Sequence, residues 1–265
     1  LDSLQKICLM HGIEVDYYKK LFQTAGNIIE LIEKDDMPKY LLFLENVFPY
    51  MDNYNYQKGM KEIIQELKNL LKHKDIGTDS DRALLLDFQA TLEIKPEKAI
   101  KLEKDAIALI KEITEENAHL ASNLHSNLGG LYRMNGYPDL AREHMEKGLF
   151  LLEQYNLLYT HDGIPQFTNY AMFLAEQQAP EKGISVLQKL SKGIKEYNSD
   201  CCLDYATVQE SLATIYLMTA NLPKAKTHFK RACKIYEKIW ADEPEMIKAK
   251  YQEIQELYPQ IGFSI

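Results

Sequence analysis

Apolar residues recur at spacings of three and four along nearly the whole chain, the signature of helices that bury one face. Residues 122–157 show the local logic. Leu124, Leu128, Leu131 and Tyr132 fall on one face of a predicted helix, and Gly129 on that face lets a second helix come close. Asn135–Gly136 ends this helix, because glycine accepts the positive φ that commonly closes one. Pro138 opens the next, since the amide that proline lacks has no partner in a first turn. Ala141, Met145, Gly148 and Leu149 then return an apolar stripe. The pattern predicts a helix hairpin whose inner faces pair with each other and whose outer faces need neighbours.

The hairpin is repeated. Pro96, Pro138, Pro180 and Pro223 stand 42, 42 and 43 residues apart. At that period Leu86, Leu128, Tyr170 and Leu212 superpose, as do Ala90, Tyr132, Leu174 and Tyr216. So do Ala99, Ala141, Gly183 and Ala225, and then Ala106, Gly148, Leu190 and Ala232. A period of this size predicts a solenoid of stacked units. Helix pairs are expected through residues 38–258, with turns near 94–96, 135–138, 177–180 and 220–223.

The organisation reads as N-terminal helices over 1–36, repeats over 37–240, and a C-terminal cap and tail over 241–265. The opening segment suggests helices Asp2 to His11 and Glu14 to Lys34, separated by Gly12. About five units fall near 38–73, 80–115, 122–157, 164–198 and 206–240. The first is degenerate, with Leu42, Val47 and Tyr50 in one helix and Gly59, Ile63, Ile64 and Leu67 in the other. Pro244 starts the capping helix, whose apolar stripe is Met246, Ile247, Tyr251, Ile254 and Leu257, and Pro259 ends it. Strand signals are scarce.

One copy reads His125, Leu128, Gly129, Tyr132, Ala141 and Met145, and the next Phe167, Tyr170, Ala171, Leu174, Gly183 and Leu187. A third reads Gln209, Leu212, Ala213, Tyr216, Ala225 and Phe229, and a weak one Ala83, Leu86, Asp87, Ala90, Ala99 and Glu103. This pattern resembles the tetratricopeptide repeat, although tryptophan is missing from its site in every copy and the weak copy has a charge at its last aromatic site. The longer period is similar to that of kinesin light chains and bacterial repeat regulators. The resemblance implies an all-α fold, a right-handed superhelical solenoid of antiparallel helix hairpins. It also implies that Gly129 and Ala213 sit against the second helix of their own units.

The formal net charge of −8 argues against sequence-independent nucleic-acid binding, which depends on neutralising phosphates. One local basic feature departs from the average. Lys226, Lys230, Lys234 and Lys238 line one helix face, with Lys224 and Arg231 nearby, either as a solvated face offset by Glu237, Asp242 and Glu243 or as a docking edge for an acidic partner. Cys8, Cys201, Cys202 and Cys233 lack the spacing of a disulfide framework, so a reducing cytoplasm is the expected compartment. No run of 18 apolar residues, signal peptide or lipidation motif appears, so no membrane partner is expected. The chain opens with Leu rather than Met, which leaves room for a longer protein with a further catalytic or DNA-binding domain.

Reactive motifs are not found: no phosphate loop, His-x-x-x-His pair or nucleophile elbow. His119 and His125 are six apart, on different faces of one helix, and His125 is expected to pack where the repeat pattern has tryptophan. His161–Asp162–Gly163 reads as a turn, with Asp162 capping the next helix. No catalytic residue, metal ligand or cofactor is expected.

In repeats of this resemblance the first helix of each unit lines the inner groove. The offset positions are Asn123, Ser126, Asn127, Arg133 and Met134, then Thr168, Asn169, Met172 and Glu176, then Glu210, Ser211, Thr214 and Met218. Asn127 and Asn169 lie one period apart, and an asparagine amide can donate and accept at once to bracket a peptide unit. The residues expected to hold a ligand are Asn123, Asn127, Arg133, Asn169, Met172, Glu176, Ser211 and Thr214, with Arg133 able to grip a carboxylate through two parallel bonds. The function expected is a non-enzymatic scaffold binding an extended peptide or a partner's helix. The alternative is the sensor part of a larger bacterial transcriptional regulator.

Overall fold

The computed structural model describes residues 41–42, 44–46, 48–49, 57–73, 76–160, 163–197 and 201–261. The expected helices over 2–34, Val47, Tyr50, Cys8 and the Asp162 cap lie outside them. Every regular element among the described residues is a helix. In chain order these are α1 (Gln57–Leu70), α2 (Asp79–Leu92), α3 (Pro96–Leu109), α4 (Ala118–Met134), α5 (Pro138–Gln154), α6 (Gly163–Glu176), α7 (Pro180–Tyr197), α8 (Leu203–Met218), α9 (Leu222–Ile239) and α10 (Pro244–Leu257). A 3-10 turn, Pro259–Ile261, follows. The chain divides into two compact units, residues 1–131 and 132–265.

In the first unit, Met60, Ile63, Ile64 and Leu67 turn the buried face of α1 towards Leu85 and Phe88 of α2. Phe48 stacks on Phe88 with ring centroids 3.8 Å apart. The buried positions before α1 are Leu41, Leu44 and Phe48, whereas Leu42 is 60% exposed. The stripe expected through Leu42 is therefore displaced by one residue. Helices α2 and α3 form a hairpin, and Ala83, Ala106 and Leu124 join α2, α3 and α4 in one buried cluster. Thr78 and Asp81 build a capping box at the start of α2: the Thr78 hydroxyl accepts from the Asp81 amide, and the Asp81 carboxylate accepts from the Thr78 amide.

The second unit is a larger run of the same construction. Helices α6, α7, α8 and α9 pack in sequence around Leu187, Ile194, Leu212, Ala213 and Phe229, all nearly inaccessible to solvent. Gly183 is required on α7, because a Cβ there would run into the carbonyl of Ala171 on α6. Ala225 is the matching small residue on α9 and is fully buried. The cap differs slightly from its predicted stripe. Ile254 is buried but Leu257 is 62% exposed. Tyr258 takes its place, its ring 5.2 Å from that of Phe229.

The turns between first and second helices of the second unit share one geometry at the sequence period. Gly136, Gln178 and Ala220 all have positive φ, at 77°, 59° and 56°. Each amide bonds back three residues, and the following amide bonds back five, to Tyr132, Leu174 and Tyr216 respectively. These are Schellman closures. Only the first carries the glycine that makes the left-handed conformation cheap. Ala220→Gly is accordingly expected to stabilise the protein by roughly 0.5–1 kcal/mol, the left-handed strain of alanine exceeding the added unfolded-state freedom of glycine. An unchanged or lower urea midpoint would contradict this.

Candidate functional site

Candidate residues group separately within each unit. In the first, Asp87 of α2, Glu103 of α3 and Asn127 of α4 meet. Glu103 is 2% exposed and Asp87 9%. The Asn127 amide donates to Asp87 Oδ1 at 2.8 Å. Asp87 hydrogen-bonds Glu103, whose pKa is pushed up to about 10 by burial, then by the charge of Asp87 and by that bond. Glu103 Oε2 is buried with no hydrogen-bond partner. Burial and the neighbouring Asp87 thus favour the protonated form of Glu103. Both were visible as the odd residues of the weak repeat copy, Asp87 at a small-residue site and Glu103 at an aromatic one. That they form an acid pair was not.

A similar pair lies nearby. Burial, followed by the charge of Asp81 and a hydrogen bond to it, raises Glu45 to about 8. Asp81 is the same carboxylate that caps α2.

In the second unit, Arg133 and Glu176 find each other. Arg133 Nε donates to Glu176 Oε2 at 2.7 Å, and a second guanidinium nitrogen donates to Oε1. Their side chains remain 31% and 36% exposed. Both were expected to meet a ligand, and here each neutralises the other. Asn169 is exposed, and Met172 is half-buried against the core. At the last positions of α4, α6 and α8, Met134, Glu176 and Met218 stand one period apart. Met134 is 76% exposed and Met218 49%.

The remaining candidates on α8 have local partners. Ser211 donates to the Thr207 carbonyl at 3.0 Å, and Thr214 to that of Glu210 at 3.0 Å. The Thr214 hydroxyl also lies 3.2 Å from that of Tyr258. Lys250 of α10 binds Glu210 at 3.1 Å and Glu253 at 3.2 Å. The cap therefore covers Glu210 and Thr214. In the first unit Asn123 is half-buried on α4, one helical turn before Asn127.

Gln209, at the tryptophan site of the last copy, is fully buried. Its amide donates to Ser191 Oγ at 3.1 Å, while its carbonyl meets His228 Nδ1 at 2.9 Å and Arg231 at 3.2 Å. A polar network thus fills the space of an indole. Burial, and then the charges of Arg231 and Lys224, hold the His228 pKa below its ordinary value.

The helix hairpins, their buried small residues and their Schellman turns define the architecture. The fold is of the tetratricopeptide-repeat type. A Podosopora anserina putative kinesin light chain with nearly identical TPR-like repeats is similar at a TM-score of 0.59 and 15% identity, covering 77% of this chain and 98% of that one. BtubC (BKLC) from P. vanneervenii is similar at 0.52 and 16% identity, over 77% and 74% of the two chains. A Rap protein, solved in complex with the competence and sporulation factor, is similar at 0.59 and 16% identity, over 97% of this chain and 76% of that one. No family model and no curated protein matches the chain by sequence.

Among the described residues no three His, Cys, Asp or Glu side chains are grouped to hold a metal ion, and no helix is long and apolar enough to cross a membrane. On α9, Lys230, Lys234 and Lys238 are exposed and Lys226 is half-buried. Lys224 lies over the Tyr216 ring at 5.1 Å.

Proposed function

We propose that the chain is a non-enzymatic scaffold that binds an extended peptide or a partner's helix along the first helices of the second unit. The observation carrying this reading is the row Met134, Glu176 and Met218, one period apart with both methionines exposed. Methionine is flexible and polarizable, and suits surfaces that repack around a partner. Asn169 on α6 adds an exposed amide able to bracket a peptide unit. The Arg133–Glu176 pair supplies a carboxylate and a guanidinium that an incoming chain can share.

A peptide selected from a random display library against the whole chain provides the ligand for the test. Asn169→Ala is expected to weaken that peptide by roughly 1–3 kcal/mol in calorimetry, because a backbone group of the peptide loses its partner. Stability should barely change, since Asn169 is exposed. Equal affinity in variant and parent would remove Asn169 from the site. If no peptide is selected, the scaffold reading loses its peptide form.

The second reading is a sensor portion of a larger bacterial regulator. The similarity to a Rap protein bound to the competence and sporulation factor, over 97% of this chain, supports a ligand-sensing role. A helix-turn-helix encoded upstream in the same gene would favour it, and an ATPase or kinase neighbour would favour a signalling scaffold.

A further inference from the structure

A second surface lies in the first unit. Helices α1 and α3 are second helices of successive units, and between them, above the end of α2, runs a groove of about 630 Å³. Its floor is apolar, with Ile64 buried and Leu92 and Leu102 half-buried. Its walls carry Lys61 and Lys68 from α1 and Lys98 and Lys101 from α3, all exposed. Among the described residues none of these four lysine side chains has an ion-pair or hydrogen-bond partner. Two carboxylates, Glu93 and Asp105, also line it, and Glu93 already accepts from the Lys95 amide at 3.0 Å. The walls are therefore net positive in a chain whose formal charge is −8. Ile94, next to Glu93 in the α2–α3 turn, is 93% exposed.

A stripe of lysines on one helix is an ordinary solvated face. Lysines brought from two helices to face each other across an apolar floor are a different arrangement, because their convergence needs the hairpin and not the helix. An adjoining hollow of about 410 Å³ extends the groove past Lys68 towards Leu71, Leu85 and Leu109. Arg82 lines that hollow, but its guanidinium is already hydrogen-bonded to the carbonyls of Ile76, Gly77 and Thr78. Lys72 also lines that hollow, exposed with its ammonium 3.3 Å from Asn69 Oδ1, and adds a fifth positive charge beside the four lysines. We infer that this groove docks an acidic, leucine-bearing segment of a partner protein, with carboxylates on Lys61, Lys68, Lys98 and Lys101 and apolar side chains on Ile64, Leu92 and Leu102. A nucleic acid would use the lysines but leave the apolar floor unmatched.

Fluorescence anisotropy of the whole chain with a labelled ten-residue peptide, in which two leucines are set among aspartates and glutamates, tests this. Saturable binding that weakens with salt is expected. Lys61→Glu with Lys101→Glu should weaken it at least tenfold, as should the milder Lys61→Gln with Lys101→Gln. The leucine-free acidic peptide should bind at least fivefold more weakly. Lys230→Glu with Lys234→Glu, on α9, should leave binding unchanged. Absence of saturable binding, retention of affinity in both Lys61/Lys101 variants while their circular dichroism is parental, or equal binding of a ten-nucleotide single strand would overturn the inference.

Discussion

The protein is expected to lose stability steadily as pH rises from about 5.5 to 9, and Glu103→Gln is expected to flatten that loss. Glu103 has an ordinary carboxyl pKa when unfolded and is pushed up to about 10 when folded, by burial and by Asp87. Between those values the folded chain keeps a proton that the unfolded chain releases. Its contribution is fully present below the unfolded value and disappears as pH climbs through the folded one. The loss accumulates with each pH unit in the window, on the order of 1 kcal/mol per unit. Glutamine keeps a donor towards Asp87 and does not titrate. Glu45, raised to about 8, leaves a shallower slope of the same sign in the variant. Urea midpoints followed by circular dichroism across this range decide it, and parallel profiles for parent and variant would mean that Glu103 is not the group responsible.

Phe229→Ala should cost about 3–5 kcal/mol, the usual price of emptying a buried aromatic site. Phe229 is 1% exposed and belongs to the core joining α7, α8 and α9. It also supports Tyr258, and through it the turn that follows α10. Trp240 is the single tryptophan and stacks on Tyr236 with centroids 4.8 Å apart, so its fluorescence reports unfolding of the second unit. A shift in its urea midpoint worth less than about 1 kcal/mol would show that the site collapses around the deletion.

The two substitutions occupy corresponding places in the repeat. Glu103, Met145, Leu187 and Phe229 follow one another at 42 residues, and all four are buried. Three keep an apolar side chain against the first helix. The fourth holds a neutral acid, whose proton depends on its neighbour. A structural position shared by all copies has thus become titratable in one of them.

Helix spacing, the prolines that open α3, α5 and α7, and the small residues at Ala99, Ala141, Gly183 and Ala225 were legible without coordinates. They express local conformational limits repeated along the chain, and repetition makes a weak local signal distinct. The reading was less accurate where a single residue decides a face, as at Leu42 and Leu257, because a helix stripe can rotate by one position without changing its period. The turns near Gln178 and Ala220 were legible, but their left-handed conformation was not, since neither residue favours it and only closure of the hairpin imposes it. The bonds of Asn127 with Asp87, Arg133 with Glu176 and Lys250 with Glu210 join residues 40 or more apart. Asn127 and Asn169 look equivalent by period and both are exposed, yet Asn127 is hydrogen-bonded to Asp87 on a neighbouring helix. Sequence alone determined the helices and their hairpin order. Which charges meet, which stay free and which lose their charge was decided by tertiary packing, because those outcomes depend on distance and burial between side chains that the local pattern does not connect.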